Sequence, residues 1–353
     1  MSRSVFHRGF RQGVFSLAAG ALWRIPGSFG IARILGPSYS LRCVVFHDIS
    51  ESESVFTAGM GVSITPGTLE SMLTFLADHY VPVSLQDYLK ATDGQPLPSR
   101  SVLVTFDDGY ASVMETAVPL CRKLRIPAVF FINAAFLDNG RIAPDNLVCY
   151  SANTLGMEVI NAAAGVLKRA GTSPLRSQTD VYTSLFPTLS FGEREAFLVA
   201  LTRLGGIHEQ KLAGQARLYL TRRQLSALAM ENFEIGSHTY SHMHCRCLKP
   251  FDLEREINRN KTELETITGR PVRSFSVPYG SSFDLTLELK QQLELCGCEA
   301  VFLSQSVANP RHARRFLDRV SAYSHSDDDL FLELEVLPRL RAIRDRLSSP
   351  TYN

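Results

Sequence analysis

The run Ser101-Val-Leu-Val-Thr-Phe-Asp107-Asp108-Gly109-Tyr110 drives an apolar, β-rich stretch straight into two adjacent carboxylates and a glycine. A short apolar run that ends in a turn signal is the pattern of a strand buried on both faces, as in a parallel sheet. Two carboxylates at the C-terminal end of such a strand stand where βα folds assemble their active sites. Neighbouring residues diverge, so one carboxylate can bind a metal while the other stays free as a base. An Asp-Asp-Gly turn without function is also common, and this run alone leaves both readings open.

Working outward, similar runs recur at Arg42 to His47, Val81 to Leu85, Ala128 to Asn133, Phe233 to Ser237, Ser274 to Val277, Ala300 to Leu303 and Leu317 to Ala322. Helical patterns separate them, which predicts an α/β chain with a mainly parallel sheet, and their number suits a barrel. Thr65 caps a helix predicted through Tyr80, with Pro66 in its first turn and Leu69, Met72, Leu73 and Leu76 at helical spacing. Thr221 and Gln224 form a capping box that opens a helix through Met230. Phe251 to Thr268 and Asp327 to Leu347 are two more predicted helices, the last interrupted near Pro338.

The stretch from about 139 to 220 breaks this alternation, being long, Ala-rich and helical in period. It is expected to be an insertion that shapes substrate access and does not supply chemistry. The expected organisation is a helical lead-in at 1–40, a barrel at 41–335 and a C-terminal helix and tail at 336–353.

Two further runs end strands in chemistry. Phe233-Glu-Ile-Gly-Ser-His238-Thr-Tyr-Ser-His242 places two imidazoles one turn apart. With one carboxylate they make a three-ligand metal site that keeps positions open for water and substrate. Ser276-Val-Pro-Tyr279-Gly280 closes a strand in a rigid turn, which can aim a backbone N–H at a developing oxyanion.

In this order, T-F-D-D-G-Y, H-T-Y-S-H and V-P-Y-G resemble the polysaccharide deacetylase (NodB-homology) family over roughly residues 42 to 335. The resemblance implies a distorted (β/α) barrel of about seven units. It also implies Asp108, His238 and His242 as ligands of a divalent metal, zinc being the expected ion, with Asp107 as general base and the Tyr279 amide as oxyanion donor. Two departures stand out. Ser276 occupies the position where the family often has an arginine that holds the base, and Arg319 is the candidate substitute. Met243-His244 follows the second histidine where a proline is common, which makes His244 a candidate competing ligand.

Many members also have a late apolar strand that ends in the acid histidine. Here Arg42-Cys-Val-Val-Phe-His47 has that form at the first strand, resembling an exopolysaccharide-associated branch in which the motif is displaced. His47 is therefore the expected general acid, with Asp48 a candidate to keep it protonated and His325 and His312 as alternatives.

The net charge of +2, from 37 basic and 35 acidic residues without a single-sign block, argues against nucleic acid as a partner. Seven cysteines without a framework spacing favour a reducing compartment, so a cytoplasmic location is expected. The arginines and apolar run within 1–40 are expected to form an amphipathic lead-in that packs on the domain or touches a membrane peripherally. The expected substrate is an N-acetylated glycan or lipid-linked sugar. The rivals are a C–N hydrolase of small linear amides or ureides, and an inactive glycan-binding module suggested by Ser276.

Overall fold

The computed structural model describes residues 41–168, 173–231, 233–306, 309, 315–322 and 327–337. The lead-in, His312, His325 and the tail from 338 lie outside the described residues.

The strands are β1 (Leu41–Phe46), β2 (Asp48–Ile49), β3 (Ser63–Ile64), β4 (Val81–Pro82), β5 (Ser101–Phe106), β6 (Ala128–Ile132), β7 (Glu234–Ser237), β8 (Ser274–Ser276), β9 (Ala300–Leu303), β10 (Phe316–Asp318) and β11 (Val320–Ser321). One parallel sheet has the order β10-β9-β8-β7-β6-β5-β1-β11, with β4 added against β5. Only Arg319 separates β10 from β11, so the two ends of the sheet are consecutive in the chain. Leu317 pairs with Phe302 on one side and Val320 pairs with Val44 on the other. The sheet therefore curls into a barrel-like α/β fold, with the expected strand Leu317 to Ala322 broken at Arg319 to serve both edges.

β1 and β5 pair in parallel over six positions, from Leu41 with Ser101 to Phe46 with Phe106. Side chains alternate between the two faces of a strand. One set, including Leu41, Cys43, Leu103, Val129, Phe131, Ala300, Phe302 and Leu317, packs into a single buried cluster. The other, including Val44, Phe46, Val104, Phe106 and Phe130, packs against the outer helices. By the same alternation, Thr105 and Asp107 continue the row of Leu103, and His47 continues that of Cys43.

Close packing also dictates one glycine. A Cβ on Gly236 would lie 2.3 Å from the Phe131 ring, so β6 and β7 approach as they do only because that position is glycine.

The predicted helices at 65–80, 221–230 and 251–268 are observed as Pro66–His79, Arg222–Met230 and Pro250–Thr268, the first two behind the Thr65 and Thr221 caps. The expected strand Val81 to Leu85 is not a strand throughout. It pairs only at Val81–Pro82, after which Ser84 and Asp87 form a reciprocal capping box that starts the helix Leu85–Thr92. At the C-terminus a helix opens at Asp327–Phe331 and continues as a π-helical turn, Leu332–Val336. The insertion is helical, with Pro144–Thr154, Met157–Gly165, Phe191–Leu204 and Glu209–Ala216 packed around Leu147, Ile160, Val181, Phe197 and Leu201. Among the described residues no helix is long and apolar enough to cross a membrane.

Candidate active site at the strand ends

The C-terminal ends of β1, β5, β7 and β8 converge on one cavity of about 210 Å³, whose walls include His47, Asp107, Asp108, His238, His242 and Tyr279. Because β1 and β5 are in register, His47 and Asp107 each stand one residue past the paired Phe46 and Phe106, and the Asp107 N–H still donates to Phe46 O at 2.9 Å.

Asp107 is buried and gripped by Arg319. Nη1 donates to Oδ1 and Nη2 to Oδ2, both at 2.7 Å, in the two-pronged geometry that suits a carboxylate. The guanidinium also donates to Leu303 O, Thr105 Oγ1, Ser276 Oγ and Ser304 Oγ at 2.8–3.1 Å. Ser276 Oγ donates to Asp107 Oδ2 at 3.0 Å. The serine at the departed position thus leaves room for an arginine arriving from the link between β10 and β11. Burial pushes the Asp107 carboxyl up, but Arg319, His238 and His47 more than reverse this and hold it below the ordinary carboxylate range.

Asp108 follows with a left-handed backbone, at φ +69°. Its Oδ1 lies 3.3 Å from His238 Nε2 and 3.5 Å from His242 Nε2, and it is buried without a hydrogen-bond partner. Ligand atoms 2.0–2.1 Å from a tetrahedral zinc stand roughly 3.3 Å apart, so the spacing fits a shared ion. The far nitrogen of each ring is occupied, His238 Nδ1 lying 2.8 Å from Ser276 O and His242 Nδ1 2.7 Å from Asp145 Oδ2. That arrangement presents Nε2 of both rings to a metal. Burial pushes the His242 imidazole down, and Asp145 and Asp108 overturn this to leave it above its ordinary value. Burial likewise pushes Asp108 up, yet His238, His242 and His47 hold it far below its ordinary value.

His47 is buried in the same cavity. Burial pushes its imidazole down, Asp108 and Asp107 pull it back up, and Arg319 and His238 add to the fall, leaving it below the ordinary value. Asp48 is not the carboxylate that acts here. Its oxygens accept from the hydroxyls of Ser50, Ser63 and Ser112 and organise the β2–β3 corner. His244 is not grouped with Asp108, His238 and His242 either. Its ring stacks on Tyr279 at 3.7 Å and its Nδ1 faces the buried Asp284 carboxylate at 3.2 Å.

Tyr279 sits at φ +62° in the turn Pro278–Gly280, which brings it to the cavity. Left-handed backbone at a bulky residue costs of order 1–3 kcal/mol and persists only where surrounding contacts enforce it. Here the Tyr279 hydroxyl donates to Asp145 Oδ1 at 2.9 Å, and Gly280 packs so closely on Ser304 that a Cβ would lie 2.4 Å from it.

Two residues of the site carried no motif in the sequence. Asp145 lies in the first turn of Pro144–Thr154, where an acidic side chain ordinarily only complements the helix dipole. Arg194 lies between Glu193 and Glu195 in Phe191–Leu204 and resembles one member of a solvated charge row. It is buried, and it donates to His242 O, Ser241 O and Ser241 Oγ, all at 2.9 Å. The insertion, expected to shape access, thus also contacts the histidine segment directly.

The family model described as polysaccharide deacetylase matches residues 94–162 and 172–298, more than half of the chain. A stretch of 79 residues is 32% identical to the poly-beta-1,6-N-acetyl-D-glucosamine N-deacetylase of Escherichia coli K12, covering 22% of this chain and 12% of that enzyme. Among solved structures, the deacetylase PplD of Streptococcus pyogenes, in complex with acetate, superposes with TM-score 0.55 at 13% identity, covering 84% of this chain and 99% of that one. The de-N-acetylase of Aggregatibacter actinomycetemcomitans gives 0.56 at 16%, covering 83% and 99%. IcaB of Ammonifex degensii gives 0.51 at 18%, covering 86% and 96%. At these identities the structures speak to the fold, and they share the barrel-like architecture described above. With its motifs at the ends of β5, β7 and β8 and the family model spanning them, the chain belongs to the polysaccharide deacetylase family.

Proposed function

We propose that the protein is a metal-dependent hydrolase that removes N-acetyl groups from N-acetylated amino sugars of a polysaccharide or lipid-linked glycan. The observation that carries this reading is the pairing of two carboxylates with different surroundings. Asp108 faces two imidazole nitrogens with an unsatisfied buried oxygen, and Asp107, beside it, is held ionised by Arg319.

In this reading Asp108, His238 and His242 hold a divalent ion, and the donor set of two imidazoles and a carboxylate suits zinc. When bound, such an ion supplies Lewis-acid polarisation of the acetamide carbonyl and acidifies water. Asp107 takes the proton of the attacking water, and Arg319 keeps that carboxylate charged and oriented until it does. The Tyr279 N–H stabilises the oxyanion. His47, which lines the same cavity, protonates the departing amine, with Asp108 and Asp107 opposing the burial that lowers its imidazole. Because Arg319 supplies the guanidinium that Ser276 lacks, the feature that suggested an inactive binding module has a local compensation.

The test is to strip metal from the purified chain, restore it, and assay acetate release from N-acetylhexosamine oligomers alongside ammonia and formate release from small amides. Acetate release that returns with zinc is the expected result. Full activity after complete metal removal refutes the mechanism, and ammonia from small amides with no acetate from glycans refutes the substrate class.

A further inference from the structure

We infer that the helical insertion is a working part of the metal site, with Asp145 and Arg194 holding His242 in its ligating position so that ion binding and docking of the insertion stabilise one another. This rests on the metal reading above.

His242 needs such support, because its backbone is left-handed at φ +54° and the strand that leads toward it, β7, ends five residues earlier at Ser237. Two side chains of the insertion grip it from different sides. Asp145 takes the ring by Nδ1 at 2.7 Å, and Arg194 takes the main chain by the carbonyls of Ser241 and His242. Neither group is loosely placed. The Asp145 carboxylate also accepts from the Tyr279 hydroxyl, and its own carbonyl accepts from the Tyr182 hydroxyl at 3.0 Å. Arg194 is balanced by Glu256, which accepts from Ser241 N at 2.7 Å and Ser241 Oγ at 2.9 Å.

The next residue, Asn146, fastens the same helix turn to the other ligand segment. It donates to Tyr110 Oη, two residues past Asp108, at 2.9 Å and accepts from Tyr219 Oη at 2.6 Å. One turn of the insertion therefore touches both the Asp108 and the His242 segments. An ion that draws those segments together favours the docked insertion, and by thermodynamic reciprocity the docked insertion raises ion affinity by the same factor. Asp145 is a positioning residue in this scheme, since it acts on the ion only through His242.

The experiment uses the full chain, titrated with zinc against a chromophoric chelator, and backbone hydrogen exchange with and without zinc. Asp145→Asn keeps the volume and an oxygen acceptor for Tyr279 but removes the charge facing His242. Partners of this kind typically govern metal affinity by about 10- to 100-fold, and the variant is expected to lose that much. In the wild type, zinc is expected to slow exchange in 144–154 and 191–204 together with 238–242, and in the variant the slowing at 144–154 is lost. Zinc affinity within threefold of wild type overturns the inference. So does zinc protection of 238–242 that leaves both insertion helices unchanged, a readout on the wild type that decides even if the variant fails to fold. A wild-type chain that takes up no divalent ion refutes instead the metal reading on which the inference rests.

Discussion

Arg319→Met tests whether the arginine at the β10–β11 link also sustains the Asp107 carboxylate. Arg319 is 1% exposed and gives Asp107 two hydrogen bonds of 2.7 Å, so the substitution strands a carboxylate inside the barrel where, among the described residues, Ser276 Oγ alone still donates to it, at 3.0 Å. Breaking a buried pair from one side costs about 3–5 kcal/mol, chiefly through the uncompensated charge left behind. Asp107→Asn leaves the opposite charge unbalanced, although Leu303 O, Thr105, Ser276 and Ser304 still surround the guanidinium, so its cost falls toward the lower end of that range. The double substitution removes both charges together, and its cost is expected to be well below the sum of the singles, with a coupling of about 3 kcal/mol. Urea unfolding of the four proteins at neutral pH, in chelator so that metal binding does not contribute, measures the cycle. Single costs that add to within about 0.5 kcal/mol mean that the two residues act independently, and the assignment of Arg319 as the support of Asp107 is then wrong.

His47→Ala is expected to lower kcat by about 10²- to 10⁴-fold at normal zinc content, whereas Asp108→Ala loses the zinc itself; full turnover in the first variant removes His47 from the acid role. Ser84→Ala breaks the capping box of Leu85–Thr92 and is expected to cost about 0.5–2 kcal/mol in urea unfolding. The Asp87 carboxyl is held below its ordinary value by the Ser84 hydroxyl and backbone N–H, so its share of that stability is present above the unfolded-state value and is lost as pH falls through the folded one. The advantage of the wild type over Ser84→Ala should accordingly narrow in acid without vanishing, because the Ser84 hydroxyl still accepts from the Asp87 N–H, and a gap that does not change as pH falls contradicts the assignment. Gly280→Ala must force a Cβ against Ser304 at a left-handed position and is expected to reduce both stability and kcat, as followed by urea unfolding and acetate release; a variant unchanged in both shows that the turn tolerates rearrangement.

What was legible in the sequence was whatever is local. Apolar strands that stop at Asp107, His238 and Ser276 show themselves through composition and a turn signal, and a register that pairs Phe46 with Phe106 then brings His47 to Asp107 without further instruction. The helix Leu85–Thr92 was also signalled, by Ser84 and Asp87 at capping-box spacing, but the β-branched residues just before it drew the strand too far. Arg319 was recoverable because Ser276 posed a question that a late arginine on a strand could answer. Asp145 and Arg194 were not, since their partners lie 97 and 48 residues away and their immediate neighbours make each resemble an ordinary helix-surface charge. Nothing local distinguishes a charge that will be buried by a distant segment from one that will meet water.

That difference in legibility follows from how the site is built. The barrel supplies direction, because parallel strands deliver their final side chains to one rim, and each motif is simply the last turn of its strand. Direction alone does not hold His242 at φ +54° or Tyr279 at φ +62°, left-handed positions that persist only where surrounding contacts enforce them. The insertion does so through side chains that bind these segments from outside, Asp145 joining His242 to Tyr279 and Arg194 holding the carbonyls of Ser241 and His242. The motif residues therefore specify which atoms meet, while residues without a motif set how firmly they are held. Substitutions of the second kind should leave the list of expected catalytic residues intact and still impair the site.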